Sequence, residues 1–197
     1  MDEKFFAYIS RMKYISRWSL MRNSCEENVQ EHSHMVAVLA HGLAVIRNRC
    51  FGGHVDEGAV AVAALYHDAS EILTGDLPTP IKYDNPEIRD AYKAIEAVAE
   101  DRLLGMLPAE LRSAFVPVVK EENAEIRELV KAADKLSAYI KCVEEQKAGN
   151  NEFCAAAKQI RETLLENPLP ELQYFIEHFL PAFALTLDEL NREPDER

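Results

Sequence analysis

A histidine and an aspartate stand side by side near the end of an apolar helical run over residues 61–71. His67 and Asp68 offer an imidazole nitrogen and a carboxylate oxygen, both of which bind divalent metal ions. Glu71 follows one helical turn later, close enough to take part in chemistry without binding the ion. Such a dipeptide is also common on solvated helices, so its meaning depends on partners elsewhere in the chain.

A long helix that begins at a capping box is expected to carry the first partner. Asn28 and Glu31 have the spacing of that capping box. At about 100° per residue, His32 aligns with the apolar side of the helix, whereas His34 and His41 lie on the opposite side. The pattern therefore predicts that His32 points inward and that the other two histidines either lie at the surface or support the ligands from behind.

Asp134 is the second candidate partner, inside a helix expected over residues 123–148. It borders the apolar side of that helix, where a carboxylate is costly to desolvate unless a cation meets it. The cation could be Lys131 or Lys135, with the carboxylate tilted toward solvent. It could also be a metal ion.

Three separate helices thus each present an inward polar group: His32, the His67-Asp68 pair and Asp134. Two imidazoles and two carboxylates suit Mn²⁺, Co²⁺, Fe²⁺ or Mg²⁺ better than a structural zinc site built from thiolates. Four protein ligands on an octahedral ion leave two positions open, as a catalytic site requires. The sequence therefore predicts a catalytic metal centre between these helices.

The other elements follow from hydrophobic periodicity, which predicts helices and no strands. The class is therefore all-α, a helical bundle of roughly seven to nine helices. The expected helical segments are residues 3–14, 29–49, 57–73, 86–107, 108–116 (opened by Pro108 and ended before Pro117), 123–148, 151–166 and 171–190, the last broken near Pro181.

Two further segments could contact a ligand. Arg17 precedes Trp18, the only tryptophan; the arginine could lie over a packed ring or form a phosphate-binding fork beside a flat apolar wall. The loop of residues 74–80, TGDLPTP, follows the His-Asp pair and is made stiff by two prolines and a glycine. It could hold a substrate or serve as a helix cap and connector.

The composition limits the possible classes of protein. With 197 residues, 48% of them hydrophobic, the chain is expected to form one domain over residues 1–197, with residues 192–197 frayed. A net charge of −12 argues against binding to nucleic-acid polymers. The N-terminus lacks the apolar segment of a signal peptide, and no apolar run reaches membrane-spanning length. Four scattered cysteines indicate reduced thiols in a cytoplasmic protein.

The pattern H…HD…D resembles that of the HD-domain metal-dependent phosphohydrolases. Over most of its length the chain more closely resembles the bacterial 5'-deoxynucleotidase (YfbR) family. The residues that carry this resemblance are Arg17-Trp18 with Leu20–Asn23, Asn28-Val29 with Glu31–Ser33, Tyr66–Glu71, Leu73–Pro80, and Glu144-Glu145 with Gly149–Phe153.

The resemblance implies a homodimeric HD-domain helical fold. It implies hydrolysis of deoxyribonucleoside 5'-monophosphates to deoxynucleoside and phosphate through a metal-activated water. The cofactor would be one divalent metal ion, Co²⁺ or Mn²⁺ first, with Mg²⁺, Fe²⁺ or Zn²⁺ as alternatives. The implied metal ligands are His32, His67, Asp68 and Asp134.

The resemblance also implies roles for residues around the metal. Arg17 would orient the substrate phosphate, and Glu71 would assist the proton transfers. The implied substrate-binding residues are Arg17, Trp18, His32, Asp68, Asp76, Leu77, Pro78, Thr79 and Asp134.

Two other functions share parts of this pattern. Another HD phosphohydrolase, a deoxynucleoside triphosphatase or a phosphodiesterase, would use the same ligands. Dinuclear members need extra histidines, and residues 69–133 contain none. A non-catalytic helical interaction module would keep the fold but bind no Mn²⁺ or Co²⁺ and release no phosphate. The expected partner is a small nucleotide, with neither a nucleic-acid polymer nor a membrane involved.

Overall fold

The computed structural model describes residues 3–78 and 85–192. The helices, numbered in chain order, are α1 Phe5–Ile9, α2 Val29–Cys50, α3 Glu57–Tyr66, α4 Glu71–Thr74, α5 Pro86–Leu104, α6 Ala109–Val119, α7 Ala124–Lys147, α8 Cys154–Glu166, α9 Pro170–His178 and α10 Leu187–Leu190. Short 3-10 helices cover Met12–Tyr14, Asn151–Phe153 and Leu180–Ala184. The described ranges contain no strand, only an isolated antiparallel bridge between Ser16 and Asn28. The predicted all-α class is confirmed.

Helix α2 runs through the middle of the main core, between α3 and α7. Its first turn is fixed by the predicted capping box: the Asn28 side chain accepts from the Glu31 N–H at 3.0 Å, and the Glu31 carboxylate accepts from the Asn28 N–H at 3.3 Å. The fully buried side of α2 includes Val36 and Leu43. Burial of each such side chain is worth about 1.5–3 kcal/mol. This packing holds the start of α2, where His32 lies, in a fixed position.

Helix α7 forms the opposite wall of the core, as predicted for residues 123–148. Asn123 caps its start with a side-chain oxygen that accepts from the Ile126 N–H at 3.3 Å. Beyond its end, Gly149 has a φ of +83°, a left-handed conformation that glycine adopts without a steric penalty. Leu129 and Leu136 are fully buried toward α2 and α3. Asp134 is thereby carried to the border of the core.

The expectation of one continuous helix over residues 57–73 is wrong. Helix α3 ends at Tyr66, residues 67–70 form a turn, and α4 begins at Glu71. In this turn the main-chain oxygen of Ala64 accepts a hydrogen bond from the His67 ring at 2.7 Å. The turn is closed by an i to i+3 hydrogen bond of the 3-10 type, in which the Ala69 N–H donates to the main-chain oxygen of Tyr66 at 2.9 Å.

The expected end of a helix before Pro117 is also wrong, because α6 continues to Val119 with Pro117 inside it. A proline in the last turn removes a single helical hydrogen bond, and the Lys120 N–H still closes on the Val116 oxygen at 3.0 Å. The predicted break near Pro181 is confirmed, since α9 is followed by a 3-10 helix. Residues 193–197, in the tail expected to fray, lie outside the described residues.

Seven of the described helices have nine or more residues, in line with the predicted bundle. None of the helices in residues 3–78 and 85–192 has both the length and the apolar character needed to cross a membrane.

Candidate active site

The packing of α2 against α3 brings His32, His67 and Asp68 together. One ligand atom from each of the three lies within 4.8 Å of the others. His32 is fully buried in the first turn of α2, as predicted, while the other two lie in the turn after α3. The Asp68 Oδ2 atom is 3.0 Å from His67 Nε2 and 3.7 Å from His32 Nε2. The centroids of the two imidazole rings are 5.4 Å apart.

The second nitrogen of each imidazole ring fixes the ring's orientation. His67 Nδ1 donates to the main-chain oxygen of Ala64 at 2.7 Å, and His32 Nδ1 lies 3.2 Å from the Ser137 hydroxyl. Both Nε2 atoms therefore face the space shared with Asp68. Outer contacts of this kind set the tautomer of histidines that bind metal ions.

The His67 Nε2 atom supports a metal site most directly. It is buried and makes no hydrogen bond within the described part of the chain, although Asp68 Oδ2 lies only 3.0 Å away. The two atoms are close but not aligned as donor and acceptor. A nitrogen and an oxygen that face a common point without bonding to each other fit the donor set of a divalent metal ion.

The charges in this group stabilise one another. Burial alone would lower the pKa of His67, but the Asp68 and Asp134 carboxylates outweigh it and raise that pKa to about 9. Burial alone would raise the pKa of Asp68, but His67 and His32 lower it to about 2. Asp68 therefore remains an anion, the form in which a carboxylate binds a metal ion.

Asp134 approaches from α7 and contacts His32 rather than either neighbouring lysine. Its Oδ1 atom lies 3.1 Å from His32 Nε2. Asp134 is not part of the group that lies within 4.8 Å, and 35% of its side chain is exposed. Its burial would raise its pKa, but the histidines and Arg17 hold that pKa well below its usual range. Asp134 is thus an anion at the rim of the cluster.

Arg17 brings a cation to the same cluster. Its side chain is 12% exposed, its Nη1 atom lies 3.5 Å from Asp68 Oδ2, and its Nε donates to Glu27 Oε2 at 3.1 Å. Burial would lower the pKa of Arg17, but Asp68, Asp134, Glu27 and Asp76 together raise it. The guanidinium is therefore fixed and charged at the edge of the cluster.

The Trp18 ring forms an apolar wall beside Arg17. Its indole N–H donates to Glu27 Oε2 at 3.1 Å, and its ring packs on Phe153 with centroids 5.3 Å apart. Trp18 has a φ of +56°, a conformation that bulky residues rarely adopt. Tertiary contacts therefore hold this residue in a strained backbone position.

The remaining predicted residues lie in and after α4. Glu71 is 6% exposed, and its backbone N–H donates to the main-chain oxygen of Asp68 at 3.0 Å. The Tyr92 hydroxyl donates to the Gly75 oxygen at 3.2 Å and so ties the following segment to α5. That segment contains three half-buried residues of the predicted site, Asp76, Leu77 and Pro78. Thr79 lies outside the described residues.

Two residues of this arrangement escaped the sequence interpretation. Ser137 was foreseeable, because it lies three positions after Asp134 on the same helix and so shares its face. Glu27 had no such signal, since it follows another acidic residue in a segment that looks solvated.

The chain matches the family model described as 5'-deoxynucleotidase YfbR-like over residues 4–183. It is 53% identical over 192 residues to a 5'-deoxynucleotidase of Vibrio vulnificus, covering 96% of this chain and 99% of the relative. It is 52% identical over 191 residues to the 5'-deoxynucleotidase YfbR of Shigella boydii, covering 96% of each.

Two solved structures share the fold. An HD-domain phosphohydrolase from Listeria innocua superposes with a TM-score of 0.80 at 24% identity, covering 98% of this chain and 94% of that one. A cyanophage S-2L HD phosphohydrolase, bound to dA and one catalytic Zn²⁺, superposes with a TM-score of 0.61 at 22% identity, covering 89% and 95%. The fold is thus the HD-domain helical fold. Together with the family match and the half-identical relatives, this shows that the chain belongs to the YfbR-like 5'-deoxynucleotidase family.

Proposed function

We propose that this protein hydrolyses deoxyribonucleoside 5'-monophosphates to the deoxynucleoside and inorganic phosphate. Family membership supports the reaction class. The observation in this chain that carries the proposal is the cluster of His32, His67 and Asp68, whose ligand atoms lie within 4.8 Å of one another. A cation with a largely buried side chain, Arg17, lies beside that cluster. A metal centre and a fixed positive charge can together stabilise the charge that develops when a phosphate ester is hydrolysed.

The proposed metal ligands are His32, His67, Asp68 and Asp134. The buried His67 Nε2 and the anionic Asp68 support the first three. Asp134 is supported by its contact with His32 Nε2 at 3.1 Å. A divalent ion bound there would act as a Lewis acid and would lower the pKa of a water molecule that it binds.

The identity of the ion is a finer proposal, namely Co²⁺ or Mn²⁺. Imidazole and carboxylate donors without thiolate fit these ions, and they also fit Fe²⁺ and Zn²⁺. The cyanophage enzyme of the same fold holds a catalytic Zn²⁺. Reconstitution with each ion in turn, with phosphate release as the readout, distinguishes them.

Arg17 is proposed to bind the substrate phosphate. Its contact with Glu27 uses Nε, so the Nη edge of the planar fork is directed toward Asp68 and the cluster. Two Nη groups can bind two phosphoryl oxygens at once and neutralise charge that develops on them. Because the guanidinium is already held in place, little conformational freedom is lost when substrate binds.

Trp18 and the segment from Asp76 through Thr79, with Leu77 and Pro78 between them, are proposed to line the pocket for the nucleoside. Asp76 supports this placement, because its negative charge acts on Arg17. A carboxylate suits a sugar hydroxyl better than a phosphate group, since it accepts hydrogen bonds and repels anions. The Trp18 ring offers a flat apolar surface to the sugar or base.

Glu71 is proposed to assist proton transfer. It is buried, and its backbone is bonded to Asp68, so its carboxyl group lies one turn from the cluster. The leaving 5'-oxygen requires a proton, and a positioned carboxyl group can hold and transfer one.

The central test is a substrate panel. With Co²⁺ or Mn²⁺ added, the purified protein should release phosphate from dAMP, dCMP, dGMP, dTMP and dUMP and strongly prefer them to the ribonucleotides. Deoxynucleoside triphosphates and cyclic dinucleotides serve as controls for the other HD activities. Equal rates on AMP and dAMP would contradict the proposed preference for deoxyribonucleotides. If no nucleotide released phosphate, the proposed hydrolase activity would be wrong.

A homodimer in the cytoplasm is the proposed state of the protein. Large apolar side chains on the adjacent helices α2 and α3 are left exposed, among them Val38 at 54% and Leu65 at 42%. All four cysteines are free thiols, as a reducing compartment favours. Light scattering coupled to size exclusion should give twice the mass of one chain, and a monomer would contradict the dimer.

A further inference from the structure

We propose that Glu27 is a positioning residue, which holds Arg17 and Trp18 in their working geometry through one carboxylate oxygen. This inference rests on the proposed nucleotide site, and it assigns a role to a residue outside the predicted site. Glu27 Oε2 accepts the Arg17 Nε–H at 3.1 Å and the Trp18 indole N–H at 3.1 Å. One atom therefore links the proposed phosphate-binding residue to the proposed wall of the sugar and base pocket.

The backbone places Glu27 opposite Arg17. The Arg17 N–H donates to the Glu27 main-chain oxygen at 2.9 Å, and the next pair outward, Ser16 and Asn28, forms the isolated bridge. The Glu27 side chain is only 16% exposed. Its carboxylate is thus a fixed part of the site's inner wall, unlike its exposed neighbour Glu26.

The backbone of Trp18 is strained, so the hydrogen bond from its indole N–H to Glu27 helps to hold the residue in place. With a φ of +56°, Trp18 has no local preference for its observed conformation. Its main-chain oxygen accepts from Met21 N–H at 2.9 Å, its ring packs on Phe153, and its indole N–H is bonded to Glu27. Of these contacts, the hydrogen bond to Glu27 is the directional one made by the indole ring, and it holds the N–H edge of the ring toward Oε2.

Glu27 also balances the charge on Arg17. The guanidinium lies between two anions, with Glu27 at Nε and Asp68 Oδ2 3.5 Å from Nη1. Without Glu27, the remaining anions that act on Arg17 are Asp68, Asp134 and Asp76, and they would draw the guanidinium toward the proposed metal ligands. Glu27 therefore keeps the Nη edge available for phosphate and keeps Asp68 available for the metal ion.

The test uses Glu27→Ala and Glu27→Gln. Trp18 is the only tryptophan, so fluorescence excited at the long-wavelength edge of indole absorption, where tyrosine does not absorb, reports this residue alone. In Glu27→Ala we expect a red-shifted emission and stronger quenching by acrylamide. We also expect kcat/KM for dAMP to fall about 10- to 100-fold, the range that follows from losing a charge-assisted hydrogen bond. The ratio of kcat/KM for dAMP to that for AMP should fall as well. Glu27→Gln keeps an acceptor oxygen but loses the charge, so its values should lie between those of Glu27→Ala and the unmodified protein.

Glu26→Gln is the matched control, because Glu26 is adjacent, acidic and exposed, and it should leave all three readouts unchanged. An unchanged emission and an unchanged kcat/KM in Glu27→Ala would overturn the proposal. A fall in kcat/KM with a constant dAMP-to-AMP ratio and a lowered melting temperature would also overturn it, since that pattern indicates a merely structural role. If the unmodified protein hydrolysed no deoxynucleotide, the proposed function would fail, while the fluorescence would still decide whether Glu27 positions Trp18.

Discussion

His67 donates its Nδ1 hydrogen to the main-chain oxygen of Ala64, three residues earlier, at 2.7 Å. This bond places a hydrogen on Nδ1, so Nε2 is the nitrogen that faces His32 and Asp68 and that a metal ion would bind in place of a proton. The bond lies at the point where α3 ends at Tyr66. One local contact thus directs a ligand atom into the site.

The first prediction concerns His67 itself. His67→Ala should lose both metal binding and phosphate release. Metal affinity should fall by more than the 10- to 100-fold loss typical of outer contacts, since a ligand is removed. Calorimetric titration with Mn²⁺ or Co²⁺ measures it. His34→Ala is the control, because His34 is exposed on the far side of α2 and should bind metal normally. Undiminished metal binding by His67→Ala would place the site elsewhere.

The second prediction concerns Ser137, which supports His32 from α7. Its hydroxyl lies 3.2 Å from His32 Nδ1, and both groups are buried. Ser137→Ala should lower metal affinity about 10- to 100-fold, because the imidazole loses the contact that orients it. The same titration, run on the purified variant, measures the change.

Ser33→Ala is a matched control for this experiment. Ser33 is also a buried serine, but its hydroxyl makes no hydrogen bond within the described residues. Its removal should leave metal affinity unchanged and cost little stability. Equal effects of the two substitutions would mean that Ser137 fills space rather than orienting His32.

Much of the fold was predictable, because periodicity and caps are local signals. The capping box at Asn28 and the long helix that ends before Gly149 both follow from short patterns, and both are confirmed. The interruption after Tyr66 was not predictable. The turn at residues 67–70 includes a side-chain bond from His67 to a carbonyl, and hydrophobic spacing contains no information about such a bond.

The site shows the same division between local and tertiary information. The inward direction of His32 follows from its angle on the helix, and its full burial confirms it. The partner of Asp134 remained open between two lysines and a metal ion, and the structure places it against His32. The role of Glu27 could not be predicted from the sequence, because its partners, Arg17 and Trp18, are about ten residues away. The antiparallel bridge between Ser16 and Asn28 brings the two segments together.

The third prediction concerns Glu71, which is expected to act on protons without binding the ion. Glu71→Gln preserves the shape of this buried side chain but cannot donate or accept a proton in the same way. Metal affinity should stay within error of the unmodified protein, whereas kcat for dAMP should fall about 10²- to 10⁴-fold. Rapid phosphate detection combined with metal titration checks both quantities. A variant that turned over at the normal rate would exclude the proton-transfer role.

The fourth prediction concerns the anchor of the segment that carries Arg17 and Trp18. Glu145, 1% exposed on α7, accepts hydrogen bonds from the Ser24 N–H at 2.8 Å, from the Cys25 N–H at 3.2 Å and from Lys141. Lys141 also donates to the Cys25 oxygen. Glu145→Ala leaves a buried ammonium without its carboxylate, so the free energy of unfolding should fall by about 3–5 kcal/mol in urea titrations.

The same contacts give stability a defined dependence on pH. Burial alone would raise the pKa of Glu145, but its hydrogen bonds from Lys141, Asn150 and the backbone hold that pKa well below its usual range. A group whose pKa is lowered by folding stabilises the protein above its unfolded pKa of about 4.3, and this contribution is lost as the pH falls further. The difference in unfolding free energy between the unmodified protein and Glu145→Gln should therefore be largest near neutral pH and shrink in acid. Burial raises the pKa of the neighbouring Glu144, so Glu144→Gln should show a pH dependence of the opposite sign. A constant difference for Glu145→Gln would exclude this linkage.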